Sequence, residues 1–145
     1  MKMSFSASLV YLVLGVGSGL FYREFTKAHD FTDGASTQLS VVHTHLLTLG
    51  FIVFLIVLIL DKLFDLSSTG LFSWFFWIYN AGLVLTAGMM TVHGSLTVLG
   101  EKTVSPAISG IAGMGHILLT IALIVLMVAL GRRVLARAPK SVDAA

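Results

Sequence analysis

Four apolar stretches, running roughly from Ser6 to Phe21, Leu39 to Leu60, Leu71 to Leu99 and Ala107 to Leu130, constrain this chain more than any motif in it. Crossing ~30 Å of hydrocarbon takes about 20 helical residues, a length that the last three stretches reach and the first approaches. The expected fold class is therefore all-α, a four-transmembrane-helix bundle. Helices are expected at about 5–24, 37–62, 70–99 and 105–133, within one domain covering 1–145. Residues 134–145 read as a basic, flexible cytoplasmic tail.

Composition supports a membrane chain. Hydrophobic residues make up 57%, charged residues 11%, and mean hydropathy is +0.96, against about 25% charged in soluble domains. Lys2 ahead of an apolar run resembles a secretory leader. However, Gly15-Val16-Gly17-Ser18-Gly19 continues into Tyr22-Arg23-Glu24-Phe25 without a small-residue cleavage site, so the run counts as the first helix. The chain has no cysteine. That excludes disulfides, thiolate-ligated or c-type haem, and iron–sulfur clusters on its own thiolates. A metal here must rely on His, Met, Tyr or carboxylate.

Arg132, Arg133, Arg137 and Lys140 follow the last stretch, which by the positive-inside rule makes the C-terminus cytoplasmic. Four spans put the N-terminus there too. Lys2 and Lys62 are then inside, while Arg23, Lys27 and Lys102 are outside. The net charge of +2 gives no reason to expect a nucleic-acid partner. Arg23 to Ser36 suits a short amphipathic piece and a turn, with Ser36 or Thr37 capping the second helix. Asp61 and Lys62 end that helix, and Trp74, Trp77 and Tyr79 suit a membrane interface. Pro106 fits a first helical turn, where a proline loses no hydrogen bond.

Four of the five histidines, His43, His45, His93 and His116, lie within the apolar stretches, where an ionisable group is costly and usually has a task. Small and polar residues recur at helical spacing beside them, as on faces that pack against other helices. In the third stretch these are Gly82, Thr86, Met89, Met90, His93 and Thr97; in the fourth, Ser109, Gly113, His116, Thr120 and Met127. His93 and His116 are thus expected to face inward. At ~1.5 Å per residue, His93 lies about 9 Å from Leu99, His116 about 15 Å from Pro106, and His43 and His45 about 9 to 12 Å from Thr37. All four share one layer of the outer half, which points to a common site.

Residues two apart on a helix project about 200° from each other, so His43 and His45 cannot chelate one ion together. One of them is expected to meet His116 across the bundle as an axial pair on a haem b iron, since bundle cores build such sites. Arg23, Lys27 and Lys102 are candidates to pair with the propionates. A lone membrane histidine is often a hydrogen bonder between helices, with Thr44, Thr48, Thr91, Thr97 or Thr120 as partner. Methionines such as Met89, Met90 and Met114 commonly fill gaps. They can also supply thioether ligands to copper.

Over most of its length the chain resembles a small family of uncharacterised bacterial four-helix membrane proteins. The likeness is carried by Tyr22-Arg23-Glu24-Phe25-Thr26-Lys27, by Thr37-Gln38-Leu39-Ser40-Val41-Val42-His43-Thr44-His45-Leu46-Leu47 and by Gly110-Ile111-Ala112-Gly113-Met114-Gly115-His116. That resemblance implies a multi-pass protein of the bacterial cytoplasmic membrane and no particular activity. His43-Thr44-His45 also looks like the paired histidines of haem–copper oxidase subunit I, one for each of two haems. The chain has a third of that subunit's helices and no consecutive His-His pair for copper.

Three functions are thus expected to compete. The first is a haem-binding, b-type cytochrome-like protein that forms a homodimer or larger oligomer and serves a redox partner, a sensor or haem handling. The second is a copper or other transition-metal protein using His43, His45, His93 and His116 with Met89, Met90 and Met114. The third is a non-catalytic membrane subunit. No nucleophile with a positioned base, paired intramembrane carboxylates or phosphate loop appears, which argues against hydrolases and nucleotide-using enzymes.

Overall fold

The computed structural model describes residues 1–31, 36–101 and 105–137, and every long element among them is a helix. Span one is Lys2–Ala28 and span two Leu39–Phe64. A short turn, Leu66–Ser68, leads to span three, Gly70–Val98, and span four is Pro106–Arg137. All four are long and apolar enough to cross a membrane, the architecture of a multi-pass membrane protein. The expected tail at 138–145, Lys140, Lys102 and the turn at Asp33-Gly34 lie outside the described residues.

Span one extends beyond its apolar run at both ends, because backbone bonding continues where hydropathy falls. No separate amphipathic piece begins at Arg23. Instead the helix runs to Ala28, Asp30 adopts a left-handed conformation (φ 47°), and the Phe31 N–H returns to the Thr26 carbonyl at 3.0 Å. Span two ends the same way at Asp65 (φ 53°). Thr37 caps the start of span two as expected, its hydroxyl accepting from the Leu39 N–H at 3.2 Å. Gln38 follows it with helical dihedrals, and the same buried Thr37 hydroxyl donates to the Gly94 carbonyl of span three at 2.8 Å. Residues 134–137 are helical and belong to span four.

Span two carries a wide π-type turn at Leu46–Ile52, which follows His45 directly. A π turn inserts an extra residue per turn and frees backbone groups. Here the Tyr79 hydroxyl donates to the Leu49 carbonyl at 2.9 Å, and Gly50 lies against the ring of Tyr11. Tyr79, expected at an interface, is instead completely buried in an aromatic core. Phe54 stacks on Tyr11 (5.8 Å) and meets Tyr79 at right angles (5.5 Å). Trp74 and Trp77, by contrast, point outward.

The spans form a curved row. Span two packs between spans one and three, while span four packs along span three and touches span two substantially only through Val53–Phe64. The Met1 amino group sits 2.6 Å from the buried Asp61 carboxylate, whose other oxygen accepts from the Ser67 N–H at 2.6 Å. Arg133 of span four reaches Ser68 and, at 3.1 Å, the Asp65 carbonyl. Both ends of the chain's helical part therefore lie at the end of the bundle that holds the 61–70 turn. The histidines lie toward the other end.

Candidate functional site

The rotation of span four follows from its glycines. A methyl group on Gly115 would stand 2.9 Å from the Thr86 nitrogen and 3.0 Å from the Gly82 carbonyl oxygen, so the two backbones approach as only glycine permits. Leu119, Ala122, Leu126 and Ala129 continue this buried face. The expected packing stripe of Ser109, Gly113, His116, Thr120 and Met127 is consequently turned away from it, and His116 is exposed rather than inward-facing. In lipid, an apolar residue gains little by facing protein. Close backbone approach at Gly115 therefore sets the rotation, and the polar stripe is left at the flank.

That flank closes a cavity of about 240 Å³ at the end of the bundle away from the termini. It is lined by Gln38 from span two, Met89 and His93 from span three, and Ile108, Ser109, Ala112, Gly113 and His116 from span four. Two of the four histidines thus share a space, with one thioether and one amide. The His93 Nδ1 is buried and has no hydrogen-bond partner, while the His116 Nδ1 lies 3.0 Å from the Ala112 carbonyl.

His45 makes the same local contact as His116, its Nδ1 2.9 Å from the Val41 carbonyl. An imidazole that donates from Nδ1 to a backbone carbonyl is fixed in the tautomer with its Nε2 lone pair free, the arrangement that ligating histidines use. His45 lies seven residues after Gln38, two turns along the helix, and so stands on the same flank of span two. His43 projects to the opposite flank. Its Cβ is 3.7 Å from where a methyl group on Gly19 would be, its Nδ1 is buried without a partner, and its Nε2 is 3.4 Å from the Thr44 hydroxyl. The four histidines therefore do not form one cluster. Among the described residues, no group of three or more His, Cys, Asp or Glu is placed to hold a metal.

The remaining expected residues divide as follows. Met89 lines the cavity; Met90 is buried in the core, and Met114, 55% exposed, faces outward, so neither joins the cavity. Arg23 and Lys27 are exposed near the end of span one, Arg23 paired with Glu24 at 3.5 Å, and neither lines the cavity. Ser109 and Gly113 line it from the stripe they share with His116, and Gln38 lines it without having been expected. The one sequence signal of Gln38 is polarity at the start of an apolar run, which reads equally well as a helix start.

A family model described as "Protein of unknown function (DUF2871)" matches residues 1–133. No curated protein and no solved structure matches the chain, so the local likeness of His43-Thr44-His45 to haem–copper oxidases has no counterpart there.

Proposed function

The chain belongs to the DUF2871 family of proteins of unknown function, and from that premise we propose that it is a haem-binding membrane protein, b-type cytochrome-like, in which His45 and His116 would hold the haem. The reading rests on one observation. Both imidazoles lock Nδ1 on the carbonyl four residues earlier and leave Nε2 free, on spans that stand apart in this half of the bundle. The donor set fits a low-spin iron, and Ala112 and Gly113 leave the flank of span four free of bulk. Bound haem would supply one-electron chemistry in electron transfer or gas and redox sensing, or be a cargo in haem handling.

The residues around the ligands have their own tasks. The Val41 and Ala112 carbonyls orient the rings. Arg23 and Lys27, at the same end of the bundle as the histidines, are the candidates to pair with propionates. We place the protein in the bacterial cytoplasmic membrane with both termini cytoplasmic, following the basic residues at Lys2, Lys62, Arg132 and Arg133, as a homo-oligomer that serves a redox partner.

A second reading, a copper or other transition-metal site, is favoured by the cavity itself. At about 240 Å³ it lies below the ~300–1,000 Å³ of organic-ligand sites. It also brings His93, His116 and Met89 together, a nitrogen and thioether set suited to Cu(I). Visible spectra of oxidised and dithionite-reduced purified protein, with iron and copper analysis of the same sample, separate the two. A sharp reduced α band with near-stoichiometric iron is the expected result. Copper without haem selects the second reading, and haem-replete expression that yields neither metal leaves a structural subunit.

A further inference from the structure

Spans one and three, joined farther along by Val42 and Leu46 of span two, leave a groove that starts at the terminus-bearing end and that the histidine chemistry does not use. It comprises two adjoining cavities, about 620 Å³ toward the termini and about 520 Å³ beyond, which share Tyr11, Leu14 and Val84. Most of its few polar groups are bonded within the protein, the exceptions being the second Asn80 amide N–H and the Trp77 indole N–H. Tyr11 donates to Asn80 Oδ1 at 2.7 Å, and Asn80 Nδ2 to the Phe76 carbonyl at 2.7 Å. Ser18 and Thr91 donate to the Gly15 and Ala87 carbonyls at 2.9 and 2.8 Å. Along its length the groove therefore offers a ligand mainly apolar surface. At the terminus-bearing mouth this changes: Lys2 and, one turn on, Ser6 line the larger cavity, and neither has a partner among the described residues.

A groove with an apolar body and a cationic, hydroxyl-bearing mouth complements an amphiphile with a negative head. We propose that the larger cavity is a binding site for an anionic phospholipid of the leaflet at the terminus-bearing end, with Lys2 and Ser6 on its phosphate and an acyl chain along span one. The dimensions agree: Lys2 to Leu14 covers ~18 Å of helix, close to the ~15 Å of one leaflet's hydrocarbon. The same end of the bundle carries Lys62, Arg132 and Arg133, which concentrate anionic headgroups near the mouth.

Trp77 lines this cavity and is 65% exposed, and it is one of only two tryptophans, so a Trp74→Phe background makes it a reporter. Full-length protein in vesicles is titrated with phosphatidylglycerol or phosphatidylcholine carrying a dibrominated chain, and Trp77 quenching is read. Phosphatidylglycerol is expected to quench at about fivefold lower mole fraction, the preference that one lysine supplies. Lys2→Gln should erase that preference without reducing quenching by phosphatidylcholine, and Val84→Phe, at an exposed position, should weaken quenching by both. Equal quenching by the two lipids, or a preference untouched by Lys2→Gln, overturns the assignment. Trp77 shielded from both lipids in a protein that migrates as a dimer overturns it in favour of a second copy in the groove.

Discussion

Thr37 and Gly94 are joined by a buried hydrogen bond of 2.8 Å from the Thr37 hydroxyl to the Gly94 carbonyl, which pins the start of span two to the residue after His93. At this crossing a methyl group on Gly94 would stand 2.8 Å from the Leu39 Cα, so the contact is backbone to backbone. Thr37→Val is expected to lower stability by ~1–2 kcal/mol, because it removes both the bond to Gly94 and the cap on the Leu39 N–H. Gly94→Ala should cost more, ~1–3 kcal/mol, because backbone must move. Thermal unfolding in detergent measures both. A Gly94→Ala protein as stable as the parent would mean that the crossing is looser than described.

The rotation of span four can be tested by three glycines on one helix. A methyl group on Gly115 meets the backbone of Thr86 and Gly82, whereas one on Gly110 or Gly113 meets nothing within 4 Å. Gly115→Ala is expected to lower the unfolding temperature clearly, with Gly110→Ala and Gly113→Ala close to the parent. The opposite ranking would place the packing face on the polar stripe.

Between the two histidines of the Val41-to-Leu46 segment, the expected effects are unequal. His45→Ala and His116→Ala should each abolish stoichiometric haem, while His43→Ala, changed on the flank that faces span one, should retain it. Haem per protein by pyridine haemochrome assay decides this, and equal loss at His43 and His45 would show that ring geometry does not sort the pair.

If copper rather than haem is bound, thioether use should also be selective. Met89→Leu is expected to reduce Cu(I) occupancy, with Met90→Leu and Met114→Leu near the parent value, since only Met89 lines the cavity with His93 and His116. Metal analysis after chelator washing provides the comparison.

The π turn offers a last test. Tyr79→Phe removes the donor to the Leu49 carbonyl while keeping the ring, and should cost ~1 kcal/mol. An unchanged unfolding midpoint would indicate that the freed carbonyl has another partner.

Span number, helix class and several element ends were legible in the sequence, because chain length against bilayer thickness and local backbone chemistry decide them. Pro106 begins span four, and Thr69 accepts the Phe72 N–H at 3.3 Å at the start of span three. The expected meeting of histidines was legible only in part. His93 and His116 share a cavity, but His43 and His45 take opposite flanks of span two, and Met90 and Met114 lie elsewhere. Tyr79 shows why composition misleads here. The same side chain suits an interface or a buried site with one acceptor, and the Leu49 carbonyl, freed by the π turn, provides the acceptor.

The sequence by itself determined that this chain is four membrane-length helices with imidazoles confined to one end. Only the tertiary structure decided which face of each helix meets its neighbour. In water, an apolar stripe orients a helix, because burying it is favourable. In lipid, both faces are apolar, and rotation is left to close contacts such as Gly115 on Gly82 and Gly94 on Leu39, which no periodicity in hydropathy records.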